Sequence, residues 1–348
     1  MSMEREGVLS RLRERCFKSL SEPRMKSDNT SLCDSLQVHG EMLIMTVWKT
    51  PKADAYFQAQ KARLASPTDE QNRGFFYMMI KVGMALQATA RIVPPPSKTI
   101  HLKVLDICMA PGGYAATVSK VNPTLMFTAS LGGHPIALPN WKIDRCVDVR
   151  FQDITMLVAE LGFPDLASQN HDKTCEFSNE RPFNTQAVDL VFCDGKVLDS
   201  HTRTSESTNE AARLSAAQIV LTLQRIKYGA TLVMLLHQAY GPASVRLLEA
   251  FDQFSTISLV KHQVCHIKRT SFYLIAKNID PAHARARTLV NELRHSWRLH
   301  TALAFGVEIP GEKLEDGPRG SFGEKLIQLA EPVWRLQTQA MLQEFLTE

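Results

Sequence analysis

The chain of 348 residues contains no apolar run of membrane-spanning length, which argues against a helical membrane span and a membrane partner. It has no Cys-x-x-Cys pair. Its seven cysteines are scattered and odd in number, and so read as reduced thiols rather than a disulfide framework. No lysine or arginine block stands out and the net charge is only +4, so a nucleic-acid partner is permitted without being demanded. Met1–Leu20 is charged throughout and does not read as a secretory signal. Arg5, Arg11, Arg13 and Arg15 hint at an organellar leader, but Glu4, Glu6 and Glu14 oppose it. These absences lead to the expectation of an intracellular protein, cytoplasmic or nuclear and not secreted. Internal repeats are missing too. The 44% hydrophobic content is ample for a core, and the length suits one large domain with appendages, or two domains.

What is present centres on Val104–Val121, VLDICMAPGGYAATVSKV. Val104-Leu105-Asp106-Ile107-Cys108 is a short apolar run with one acid, the pattern of a buried parallel strand. Pro111-Gly112-Gly113 reads as a tight turn and Tyr114–Val121 as a helix, completing half of a nucleotide-binding βαβ unit. Glycines there let backbone amides approach a ligand, and the helix N-terminus suits an anionic group. The stretch has neither GxGxxG nor a P-loop; it reads Asp-x-x-x-Ala-Pro-Gly-Gly-aromatic.

Strands are predicted at His101–Cys108, Thr124–Ser130, Arg145–Val149, Ala187–Asp194, Thr231–His237, Ile257–His262 and Ser271–Lys277. Helices are predicted within the same region at Tyr114–Val121, Ile154–Leu161, Glu206–Tyr228 and Ser244–Phe254. This alternation predicts an α/β fold, a mostly parallel sheet of about seven strands. Upstream, Met1–Leu20, Lys52–Leu64 and Arg73–Arg91 read as helices, with Ser66–Asp69 breaking one and capping the next and Pro94-Pro95-Pro96 ending the last. Glu41–Lys49 reads as a strand or a buried helix turn. Downstream, Ala282–Ala304 and Glu324–Leu346 read as helices, and Phe163–Thr185 as a polar surface loop. The expected divisions are a helical extension over 1–96, an α/β domain over 97–280 and a second helical extension over 281–348.

The stretch DICMAPGGY resembles the S-adenosylmethionine (SAM) signature of FtsJ/RrmJ-like ribose 2′-O-methyltransferases, and Val188–Gly195, VDLVFCDG, resembles a second motif of that family. Fainter matches occur at Gly229–Leu236 and Ser271–Lys277, so the resemblance spans roughly Ile100 to Asn278. It implies a Rossmann-like methyltransferase sheet with SAM as cofactor. It places Asp106, Pro111, Gly112, Gly113 and Tyr114 at the methionine end, and Asp194 near the reactive methyl. At the end of the second strand Ser130 stands where the family has an aspartate for the ribose. Asp153 matches an adenine-contacting aspartate, or caps the helix at Ile154.

The family's catalytic device is a Lys-Asp-Lys-Glu tetrad, and of it only Asp194 is evident. Tyr77 stands at the first lysine position, Met234 or Leu235 at the second, and Ser271 at the glutamate. Lys81, Lys196 and His237 are the candidate replacements, with His201 a further loop residue. His262, Cys265 and His266 lack the spacing of a metal site, and no metal is expected. The expected activity is methyl transfer from SAM to a hydroxyl or amine, on a small molecule once the tetrad is gone. The alternatives are RNA ribose methylation (rRNA, tRNA or mRNA cap) and a non-catalytic SAM- or RNA-binding module.

Overall fold

The computed structural model describes residues 50–65, 68–97, 101–123, 127–131, 147–169, 177–197, 207–304 and 322–345. The helix expected at Met1–Leu20 and the run Glu41–Lys49 lie outside them. So do His201, Glu206, Thr124 to Met126 and most of the Gly306–Gly323 link.

Among the described residues the helices are α1 (Pro51–Ala65), α2 (Asp69–Ala90), α3 (Gly113–Val121), α4 (Ser207–Arg225), α5 (Pro242–Phe254), α6 (Ala284–Ala304) and α7 (Gly323–Phe345). The strands are β1 (Lys103–Ile107), β2 (Phe127–Leu131), β3 (Val147–Arg150), β4 (Val188–Cys193), β5 (Ile226–His237), β6 (Thr256–Val260) and β7 (Ser271–Ile279). They form one sheet in the order β3-β2-β1-β4-β5-β7-β6. The first five run parallel, while β7 pairs antiparallel with β5 and with β6.

Strand alternation sends successive side chains to opposite faces, and two cores result. On the front face Val104, Leu190, Phe192, Val233, Tyr273 and Ile275 pack beneath α2 and α3. On the back face Leu105, Ile107, Val191, Leu232, Met234 and Leu274 pack beneath α4, α5, α6 and the first half of α7. The far end of α7 meets α1 in a small cluster of Ala53, Met341 and Phe345.

Helix α2 begins at a capping box: Thr68 accepts from the Gln71 backbone, and the Gln71 side chain accepts from that of Thr68. It ends at Arg91, in the left-handed region with φ 47°, three residues before the proline run expected to stop it. Its buried stripe of Phe76, Met79, Val82 and Leu86 lies against the front face. A side chain on Gly83 would meet Thr117, and one on Gly113 would meet Met79 Cβ at 2.3 Å. The two helices thus cross with almost no room between them.

Two predicted helices are corrected. Ile154–Leu161 is only a 3₁₀ turn, Ile154–Met156, because Met156 and Val158 give their backbone bonds to Ser178 and Leu157 bridges to that residue. The helix predicted to reach Tyr228 stops at Arg225, and β5 begins at once with Ile226. Its entry bulges between Ala230 and Leu232, with Gly229 at φ 79°. Glycine tolerates that geometry, so the segment continues as strand.

Candidate functional site

The carboxyl ends of β1 and β4 lie side by side, with Ile107 opposite Cys193. In a parallel α/β sheet this is where ligands bind. Asp106 sits in β1 in register with Ser130 of β2 and Phe192 of β4. Its side chain is only 1% exposed and neither carboxylate oxygen has a hydrogen-bond partner. Burial, and then the charge of Asp194, push its pKa well above the usual carboxylate range. A buried carboxyl without a partner is costly unless a ligand completes it.

The chain leaves β1 through Cys108, at φ 64°, and enters α3 through Gly112, at φ 100°. Gly112 offers no side-chain cap, so the first-turn amides of α3 are left for other acceptors. Gly113 also has a packing role: its missing side chain makes room for Phe76 and Met79 of α2. Pro111 is half-buried in the turn between.

Asp194 follows β4 and is half-buried. Its Oδ2 accepts a 2.8 Å hydrogen bond from Tyr114. Burial raises its pKa to about 7, against the lowering effects of the Tyr114 hydroxyl and of Lys196. Tyr114 is 1% exposed and stacks on Phe192, with ring centroids 4.8 Å apart and planes 3° from parallel. Its hydroxyl also lies 2.9 Å from that of Tyr273. Burial, followed by the charge of Asp194, raises both tyrosines well above their ordinary range, so they keep their protons. The loop beyond Asp194 is fastened by Gln218, whose side-chain amide bonds both backbone groups of Gly195 at 2.9 and 3.3 Å. A side chain on Gly195 would collide with Cys108 and Gln218.

Basic residues gather near the ends of β5 and β6 and the start of β7, and one cation, Lys196, acts on both His237 and Asp194. His237 ends β5 opposite Ser271, and Lys261 donates to the carbonyls of Arg269 and Ser271 at 2.7 and 2.6 Å. Desolvation and the charges of Lys196, Arg269 and Lys261 push His237 down to about 4, although the residue as a whole stays exposed. His266 is pushed down to about 4 by desolvation, the same three cations and His237. Burial alone takes Lys261 to about 8. His237 and His266 therefore lie within the field of Lys196, Lys261 and Arg269.

The other sequence candidates are placed as follows. Lys196 is exposed on the loop after Asp194 and acts on its charge. Lys81 is exposed on α2, and its field falls on His262 and Cys265. Asp153 caps the 3₁₀ turn, accepting from the Thr155 amide and hydroxyl at 2.9 and 2.8 Å, while its charge reaches Cys108. Tyr77 is exposed, Met234 is buried in the back core and Ser271 is buried at the start of β7. His262 accepts from the amides of Val264 and Cys265, a local turn bond. Tyr273, Gln218, Lys261 and Arg269 were not found from sequence.

A glycine turn after β1, acids ending β1 and β4, and a parallel sheet edged by an antiparallel β7 define a Rossmann-like SAM-binding methyltransferase fold. The chain belongs to the FtsJ-like methyltransferase family, whose model matches residues 84–279, more than half of its length. Members of this family use SAM. The unpartnered Asp106 carboxyl fits the cationic amino end of that cofactor. Among solved structures the chain is similar to an rRNA methylase from Streptococcus thermophilus, at 11% identity and TM-score 0.34, covering 57% of this chain and 97% of that one. It is likewise similar to SMU.1697c of Streptococcus mutans in complex with S-adenosylhomocysteine (10% identity, TM-score 0.34, 57% and 98% covered). No curated protein matches the sequence. Among the described residues, no helix is long and apolar enough to cross a membrane.

Proposed function

We propose that the protein is an active methyltransferase that methylates a hydroxyl of an anionic acceptor, with RNA as that acceptor and Asp194 as the base. The carrying observation is the position of Asp194, held by Tyr114 and within the field of Lys196, a cation that also acts with Lys261 and Arg269 on His237 and His266. A carboxylate whose pKa is raised to about 7 is a better proton acceptor than an ordinary one and is still substantially ionised near neutrality. The oxygen not bonded to Tyr114 takes the acceptor's proton. SAM supplies a methyl on a sulfonium, so the acceptor oxygen gains that methyl while sulfur keeps the bonding pair, leaving S-adenosylhomocysteine. Asp106 holds the cofactor's ammonium, and the turn from Cys108 to Gly113 lies against its methionine end. In-line positioning provides much of the rate, which fits a site that retains the aspartate without the other tetrad charges.

The acceptor preferred from sequence was a small molecule. The cations reverse that order, because Lys196, Lys261 and Arg269 gather around two histidines that they hold neutral, and clustered cations are costly to assemble unless an anion neutralises them. The test is transfer of tritiated methyl from SAM to total RNA, capped transcripts and a panel of mononucleotides and neutral small molecules. Salt-sensitive label in RNA, lost by about 10²-fold or more in Asp194→Asn, supports the reading. Label only in neutral small molecules overturns the acceptor. Undiminished label in Asp194→Asn overturns the base.

A further inference from the structure

Tyr114 Oη has two polar neighbours, Asp194 Oδ2 at 2.8 Å and Tyr273 Oη at 2.9 Å. A hydroxyl has one proton to donate and lone pairs to accept with. When Asp194 is ionised, that proton goes to the carboxylate, and Tyr273 must donate to Tyr114. The order is then Tyr273 to Tyr114 to Asp194, with every proton directed at an acceptor. When the other oxygen of Asp194 takes a proton, Tyr114 still donates to Oδ2, but to a neutral carboxyl, which is a weaker acceptor than a carboxylate. Tyr114 is the hydrogen-bond partner of the Tyr273 hydroxyl among the described residues. A hydrogen bond to a charged acceptor is stronger than one to a neutral acceptor, so the ordered pair of hydroxyls favours the ionised carboxylate.

Neither ring needs its oxygen for packing. Tyr114 stacks on Phe192 in a front core otherwise made of apolar groups, and Tyr273 lies in the same core. Phenylalanine would fill both places. The three residues also come from three separate elements, the first turn of α3, the loop after β4 and the middle of β7, so their alignment depends on the assembled sheet.

We propose that Tyr273 and Tyr114 form a two-hydroxyl relay of positioning residues that orients Asp194 and biases it toward the ionised, proton-accepting state. The proposal rests on the reading of Asp194 as the base, and adds the groups that hold it ready. Burial of Asp194 opposes the relay, and the balance of the two leaves the carboxyl able to change state near neutral pH. The relay thereby supplies part of what the absent charged partners of the aspartate would have contributed.

The test uses the full chain labelled with ¹³C at the aspartate carboxyls, titrated by NMR, with the Asp194 signal assigned by its loss in Asp194→Asn. Tyr114→Phe should raise the Asp194 pKa by about one pH unit, the loss of one hydrogen bond to a charged group. Tyr273→Phe should raise it by less. The double variant should match Tyr114→Phe alone, because Tyr273 acts through Tyr114. An unmoved pKa in folded Tyr114→Phe overturns the relay, and so do additive effects in the double variant. Should Tyr114→Phe not fold, Tyr273→Phe decides alone: a rise supports the relay and no change overturns it. The titration needs no acceptor, so its failure is distinct from a failure of Asp194 as base, which the methyl-transfer assay judges separately.

Discussion

Arg213 on the back of the sheet and Asp106 on the front are both buried and ionisable, and their surroundings could hardly differ more. Arg213 is fully buried yet surrounded by acceptors: both Glu210 oxygens at 3.1 and 3.3 Å, Thr301 Oγ1 at 3.0 Å and the Thr155 carbonyl at 3.3 Å. Nearby, Trp297 donates to the same Thr155 carbonyl, and the buried Glu160 is paired with Arg225. These bonds tie α4 and α6 to the 3₁₀ turn. Asp106 has the burial without the partners. A complete set of partners accounts for a buried charge as architecture. An incomplete one marks the place where something else must arrive.

The contrast can be broken from either side. The largest effect is expected at the back: Arg213→Ala leaves Glu210 buried and unpaired and should cost about 3–5 kcal/mol in urea denaturation. An unchanged midpoint would show that this network contributes little to architecture. Asp106→Asn should weaken SAM binding by roughly tenfold to a hundredfold in calorimetric titration, the loss of a charge-assisted bond, and leave the fold intact. Undiminished affinity would mean that Asp106 is buried for some reason other than the cofactor.

A third effect concerns pH. An unfolded chain releases the Asp194 proton near 4, whereas the folded protein holds it to about 7. Between those values the unfolded state binds fewer protons, so this residue's contribution makes stability fall as pH rises from about 4 to about 7, then level off. His237 and His266, pushed down to about 4, act with the opposite sign: their contribution is lost as pH falls from about 6.5 to 4. The informative quantity is therefore the difference between wild type and Asp194→Asn in urea midpoints across pH 4 to 8. That difference should grow in favour of the variant up to about pH 7. A flat difference contradicts the raised pKa.

Glycine and proline made the nucleotide-binding turn legible, since the backbone freedom of Gly112 and the strand–turn–helix pattern are local properties. The reason for Gly113 was not local. Its missing side chain also lets α2 cross α3, a contact with residues more than thirty positions away. The boundary expected at residues 96 and 97 follows the proline run Pro94-Pro95-Pro96, and α2 on its far side shares the front core with β1 and β4. The C-terminal helix α6, expected as an extension, buries Trp297 against the 3₁₀ turn. A sequence period reports that a helix has an apolar face, and says nothing of which surface receives it.

What the sequence by itself determined is the alternation of strands and helices, the turn that follows β1 and the presence of acids at the ends of β1 and β4. All of these depend on residues a few positions apart. Only the tertiary structure decided which charges are completed and which are left open. Tyr114 reaches Asp194 across 80 positions and Tyr273 across 159, and no local preference encodes either contact. Sheet order and register set those distances, because neighbouring parallel strands come from distant parts of the chain.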